Sequence, residues 1–392
     1  EGFKFLGMAI NSVTDYFSFR ANEITGFSPT GAGSAISTSY NSYNVIYNND
    51  IHDNGNPTAT TVRDIHGIKP SLGSSAIWIL DNRIHHNEGD GIQIGSAEIG
   101  PGIPWPQGIL IGRNTIHEDR ENAIDIKKAL DVIVSQNIMY GYRQSFYLGG
   151  DSPGEIVSVH NGPQRVWIIN NVACCSENGI ISSGANDYYV IGNIIFGING
   201  PDHTSPITSF GPRGIITYGT TNSYHLNNTV WDAEGGISHA GTNIATTIAG
   251  NIIGGNIYSQ AALTPGSNTT AVSLSTVSNN IIYPTAGYRP TSLIYAAGQE
   301  FTSIAAFQAA YPGKCGGCVN SDPKLVNPAS NDYHLQSTSP AIDQGVDLSS
   351  LNTSYKSLYG VDMNFDYDKV SRPQGIAWDI GAYEFPVTGP TP

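Results

Sequence analysis

Between residues 121 and 127 the chain reads Glu121-Asn122-Ala123-Ile124-Asp125-Ile126-Lys127. In an extended strand alternate side chains share a face, so Asp125 and Lys127 point outward if Ile124 and Ile126 belong to a core. A carboxylate beside an amine is either a solvated ion pair or the polar centre of a groove. Aligning this run with similar runs at the small residue that opens each gives one outward column of Lys69, Gln93, Asp125, Tyr147, Ile181, Ile216 and Ser238. The next outward column holds Gly95, Lys127 and Gly149, so open space is expected on both sides of Lys127. Glu121 precedes the strand and Asp90 falls one repeat earlier. With Asp125 they supply the paired carboxylates that hydrolysis of a glycosidic bond requires.

Three other sets of residues carry chemistry. Arg143 can bind a carboxylate or stabilise developing charge, or it can sit between Glu121 and Glu177 of adjacent repeats as a structural stack. His52, His85 and His117 recur three residues after an Asn, which predicts a column of rings about 5 Å apart. Such a column is either a partly exposed stack or a metal site, since imidazole is the commonest metal ligand. The four cysteines fall as Cys174-Cys175 and Cys315-Gly-Gly-Cys318, read as two thiols and one local disulfide. Gly236-Ile-Ser-His-Ala lacks the final Gly of a nucleophile elbow, and no phosphate loop is present.

What must position these groups is a repeat. The phrase Asn-x-Ile, or a close variant, begins at Asn22, Asn49, Asn82, Asn114, Asn137, Asn171, Asn193, Asn228, Asn251 and Asn280, at intervals of 22 to 35 residues. Each interval also holds a small residue followed by alternating apolar positions, as in Gly91-Ile-Gln-Ile-Gly and Gly179-Ile-Ile-Ser-Ser. Short period-two runs bounded by Gly, Asn and Asp are strands and turns. One such coil cannot bury its apolar face, whereas stacked coils can. The pattern predicts an all-β chain: a right-handed parallel β-helix of about ten coils, with one Asn of every coil stacked in a ladder. A propeller would need longer, more uniform repeats. The helix is expected over residues 1–290 and a closing segment over 291–392, where Ser303 caps a short helix beginning at Ile304.

Composition removes several functions. Eighteen Lys and Arg face 32 Asp and Glu, a net charge of −14, so no basic footprint for nucleic acid exists. No apolar run approaches the roughly 20 residues of a membrane span. Nine of the 18 basic residues lie from Arg63 to Arg165, which predicts a cationic strip suited to an anionic partner. The chain opens Glu1-Gly2-Phe3-Lys4 and is read as a mature or trimmed form.

The tail carries Ser339-Pro-Ala-Ile-Asp-Gln-Gly, Ser371-Arg-Pro and Asp379-Ile-Gly-Ala-Tyr-Glu. Over about residues 320–385 it resembles the closing segment of secreted bacterial β-helix proteins of the pectate-lyase-like superfamily, of the choice-of-anchor Q type. That resemblance implies a secreted or surface-attached protein acting on polysaccharide. The run from Glu121 to Lys127 is similar to the calcium- and lysine-dependent pectate lyases. This likeness implies Asp90, Glu121 and Asp125 as Ca²⁺ ligands and Lys127 as the base that removes a uronate C5 proton. Arg143 would assist, and Lys69, Gln93 and Tyr147 would bind substrate. The expected function is therefore β-elimination on a uronate-containing glycan. The alternatives are a glycoside hydrolase on the same scaffold and a non-catalytic surface or glycan-binding protein. The Asp-Pro-His-Asp stretch of alginate epimerases is absent, as is the Gly-His-Gly of polygalacturonases, whose place is taken by Gly89-Asp90-Gly91.

Overall fold

The computed structural model describes residues 3–386 apart from 9, 13, 59–62, 144–153, 201–211, 242–243, 257–261 and 287–291. Each full coil gives one strand to each of three sheets, and strands pair in parallel with their counterparts in the coils before and after. The first sheet has eleven strands, from Lys4–Leu6 to Ile281–Ala286, and the second twelve, from Ile10–Ser12 to Gln299–Phe301. The third has ten, from Ser18–Arg20 to Thr276–Ser278. The molecule is a right-handed parallel β-helix.

The Asn-x-Ile phrase explains the first sheet. Ile24, Ile51, Ile84 and Ile116 lie in register one below another, fully buried. β-Branched side chains suit this pleated surface, and each buried Ile contributes roughly 1.5–3 kcal/mol over an exposed one. All ten ladder asparagines stack. The Asn114 Oδ1 accepts from the backbone N and Nδ2 of Asn82 at 2.8 and 3.0 Å, while its own Nδ2 donates to Asn137 Oδ1 at 3.0 Å and to Ile79 O at 2.9 Å. The residue before each ladder Asn has positive φ, including non-glycines such as Arg113 (56°) and Gln136 (57°). That conformation costs about 1–2 kcal/mol without glycine, and the ladder's hydrogen bonds offset it.

A second, shorter ladder lies five residues on. Asn54 Nδ2 donates to Asn87 Oδ1 at 2.8 Å, Asn87 Nδ2 to Asp119 Oδ1 at 2.7 Å, and Tyr142 Oη to Asp119 Oδ2 at 2.9 Å. This ladder fixes the turn that leads into the second sheet.

Parallel pairing runs on to Ile294–Ala296, beyond the division expected at residue 290. The helix Ile304–Ala310 follows, its Ser303 side chain accepting from Ala306 N at 3.1 Å, and its buried Phe307 joins Leu293, Ile294 and Phe301 in the core. Cys315 and Cys318 form a disulfide. The tail then folds back over two outer faces. Tyr333, Leu335, Ile380 and Tyr383 bury against Ile194, Trp231 and Ile252 of the first sheet. Leu348, Tyr355, Met363 and Trp378 bury against Trp167, Ile169 and Leu226 of the third. The recurring tail phrases meet here: Asp343 N donates to Asp379 Oδ1 at 2.7 Å, and Gln374 N to Glu384 Oε1 at 2.8 Å. Neither cluster includes a residue of the second sheet.

Candidate active site

On the second sheet the strand Ile124–Lys127 buries Ile124 and Ile126 and turns Asp125 and Lys127 outward. Asp125 lies in register between Gln93 and Ser158, and Lys127 pairs with His160. An open groove of about 470 Å³ follows this face, lined by Glu121, Asp125, Lys127, Glu155, His160 and Tyr218 among others. Three of the residues singled out from sequence, Glu121, Asp125 and Lys127, are thus brought together.

The column alignment slips in one coil. The strand after Ile124–Lys127 is Glu155–His160, so Ser158 occupies the position expected for Tyr147, and Lys127 is flanked by His160 where Gly149 was expected. Tyr147 and Gly149 lie outside the described residues. The signal was present: Gly154-Glu-Ile-Val-Ser-Val-His is a longer alternating run than the one chosen. Gly95, on the other side of Lys127, stands where expected, against the Lys127 backbone.

Asp125 is the hub. It is 3% exposed; Lys127 Nζ lies 2.8 Å from its Oδ2, and His160 Nε2 lies 3.0 Å from its Oδ1. Asn161 Nδ2 stands 3.0 Å from His160 Nδ1, while Asp125 Oδ1 accepts no hydrogen bond among the described residues. Burial pulls the Lys127 pKa down, but Asp125 beside it, with Asp90 and Asp64 further off, holds it above the ordinary lysine value. A lysine base needs the opposite shift; Lys127 is held as an ammonium. Lys69, two coils earlier in Asp125's column, has its pKa lowered by burial.

Two carboxyls in the groove hold protons. Burial first, then the charges of Asp90 and Asp64, push Glu121 up to about 9. Burial pushes Glu155 up to about 7, with Asp125 adding to the rise. A carboxyl raised in the folded chain stabilises it fully below the unfolded value near 4.5, and that contribution is lost as pH climbs toward 9. Glu121→Gln should therefore flatten the fall of the melting temperature between about pH 5 and pH 9. Thermal melts across that range, with wild type and variant side by side, check this; parallel curves would contradict it.

The other expected residues do different work. Asp90 is fully buried, its Oδ1 accepting from Asn122 N and Nδ2 at 3.2 and 2.9 Å and its Oδ2 from Gln93 Nε2 at 3.2 Å. Gln93, 2% exposed, is spent on that contact. His66, also fully buried and absent from the sequence reading, stands 3.3 Å from both Asp64 and Asp90. The Asp90 amide N lies 3.1 Å from His66 Nδ1. Although burial opposes the charged ring, the two carboxylates outweigh it and raise its pKa to about 9. Arg143 Nη1 donates to Asn199 O and Oδ1 at 2.7 and 2.9 Å, and Arg143 does not line the groove. Among the described residues, three metal-donor side chains with ligand atoms all within 4.8 Å of one another occur as Asp64, His66 and Asp90, and as His86, His117 and Glu118. The Asp90, Glu121 and Asp125 set expected for Ca²⁺ does not converge in this way.

The cationic strip does not form. Residues 63–165 hold twelve Asp and Glu against the nine basic residues. Arg63, Arg113 and Arg165 are paired with Glu88, Asp81 and Asp131 at 2.6, 2.7 and 2.6 Å. The expected histidine column does stack, His52 on His85 at 4.9 Å, His85 on His117 at 4.7 Å and His117 on Tyr140 at 4.8 Å.

A family model described as a right handed beta helix region matches residues 2–103. No curated protein matches the chain. Among solved structures, the A-module of the Azotobacter vinelandii mannuronan C-5 epimerase AlgE6 is similar at 14% identity and a TM-score of 0.56, over 80% of this chain and 77% of that one. The likeness is one of fold. Pectate lyase Pel9A (13% identity, TM-score 0.42, 93% and 73% covered) and PfbA, a surface adhesin of Streptococcus pneumoniae (13%, 0.47, 73% and 62%), are also similar, at scores too low to add to the argument. Among the described residues no helix is long and apolar enough to cross a membrane.

Proposed function

We propose that the chain is a secreted or surface-attached enzyme that cleaves a uronate-containing polysaccharide by β-elimination in the groove of the second sheet. The observation that carries this reading is the Lys127–Asp125–His160 bridge lying in one open groove with two proton-holding carboxyls. Elimination needs a cation to offset the uronate carboxylate, a base for the C5 proton and an acid for the leaving oxygen. Lys127 is the cation. His160, whose ring stands 3.0 Å from Asp125, takes the proton at Nδ1 once the exposed Asn161 amide gives way. The C5–H electron pair forms the new C4–C5 double bond, the bond from C4 to the glycosidic oxygen breaks, and Glu121 or Glu155 protonates that oxygen. Tyr218 offers a ring face to the sugar. Every step is carried by side chains that line the groove.

Hydrolysis is the second reading, favoured by Glu121 and Glu155 as proton donors beside the Asp125 carboxylate. A panel of uronate and neutral polysaccharides separates the two. Elimination creates a conjugated unsaturated uronate that absorbs in the ultraviolet, whereas hydrolysis creates reducing ends without that absorbance. Retained binding with neither product would leave a glycan-binding protein.

A further inference from the structure

Away from the groove, on the first sheet, the geometry points to a site for a divalent transition metal of the zinc class, held by His86, His117 and Glu118. The three offer one imidazole nitrogen each from the histidines and one carboxylate oxygen, all within 4.8 Å of one another. His86 and Glu118 follow His85 and His117, paired residues of adjacent coils, and share a left-handed turn conformation (φ 55° and 57°), so stacking brings their side chains together. His117 Nδ1 lies 2.8 Å, and His86 Nε2 3.9 Å, from Glu118 Oε2.

The surroundings set the tautomer that His86 needs as a ligand. Asp50 Oδ1 stands 3.2 Å from His85 Nε2, which fixes the His85 proton there. His85 Nδ1, left as an acceptor, lies 2.8 Å from His86 Nδ1, so His86 carries its proton on Nδ1 and directs the Nε2 lone pair toward Glu118. Metal-binding histidines are oriented by such a donated N–H. His117 Nδ1, which faces Glu118 Oε2 at 2.8 Å, becomes a ligand when the metal displaces its proton to Nε2, a buried nitrogen with no hydrogen-bond partner among the described residues. Two imidazoles and one carboxylate suit zinc and its neighbours better than calcium or magnesium. With the side chains of His86 and Glu118 42% and 46% exposed, three protein ligands leave a fourth position open to water. The ion would tie two coils together.

The test is titration of the metal-stripped full chain with Zn²⁺ alone, read by calorimetry and by the melting temperature, with Co²⁺ absorption as a report on ligand geometry. One ion per chain, a raised melting temperature and a four-coordinate Co²⁺ spectrum are expected. His86→Ala and Glu118→Gln, both at half-buried positions, should abolish these effects. His85→Phe, which removes the acceptor facing His86 Nδ1, should weaken binding by roughly 10–100-fold, and His52→Ala should leave it unchanged. Absence of binding, or binding that survives both His86→Ala and Glu118→Gln, would overturn the assignment.

Discussion

Replacing Lys127 by Ala should lower kcat on the true substrate by about 10²–10³-fold, the loss seen when one preorganised stabiliser of developing charge is removed. The geometry behind this is the ammonium fixed 2.8 Å from Asp125 within the groove. Lys127→Arg discriminates between roles. A guanidinium stays charged and cannot accept a proton, so a neutralising Lys127 tolerates Arg with partial activity, while a lysine base would not. Removing His160 should cost about 10²–10⁴-fold, the range for a general base, and should remove the dependence of kcat/KM on the protonation of that base. Melting curves of each variant separate these losses from misfolding, because Lys127→Ala also takes the ammonium away from the buried Asp125. Steady-state kinetics in which Lys127→Ala retained most activity would return the chemistry to the carboxylates.

Asn114→Ala should destabilise the chain by roughly 3–5 kcal/mol, a loss characteristic of a broken buried network. Alanine removes the acceptor for the Asn82 N–H and side-chain amide, and the donor to Ile79 O and Asn137 Oδ1. All lie inside the ladder, where water does not replace them, and each stranded buried polar group costs about 1–3 kcal/mol. Asn22, near the first coil and 9% exposed, should cost less on the same change. Denaturant unfolding of the two variants gives the comparison; equal and small losses would mean that the ladder follows the fold and does not hold it.

The fold was legible because its determinants are local and repeated. Asn-x-Ile at Asn82 and Asn114 specifies an inward Ile, a stacked amide and a turn, and each coil repeats the message. The second ladder was equally legible, since Asn54, Asn87 and Asp119 each lie five residues after a ladder Asn. Asp125 and Lys127 could be placed outward by strand alternation alone. His160 was missed because variable loops between strands hide the register, and one wrong choice of strand moved Tyr147 into its coil. The pKa of Lys127 was not legible either: its direction depends on how burial, which lowers it, weighs against Asp125 on the same strand, with Asp90 and Asp64 of earlier coils adding to the rise. Counting nine basic residues without the twelve acids among them produced a cationic strip that ion pairing removes. The tail's return along the first and third sheets depends on outward aromatics such as Trp167 and Trp231, whose partners lie far away in sequence.

The central claim is that elimination takes place in the groove of the second sheet. Its most direct measurement is the ultraviolet absorbance of a uronate polysaccharide digest, followed for the wild type and His160→Ala together. A steady rise is expected for the wild type, and a rate at least about 10²-fold lower for the variant. Reducing ends that accumulate without absorbance, or a His160→Ala chain that produces absorbance at the wild-type rate, would contradict it.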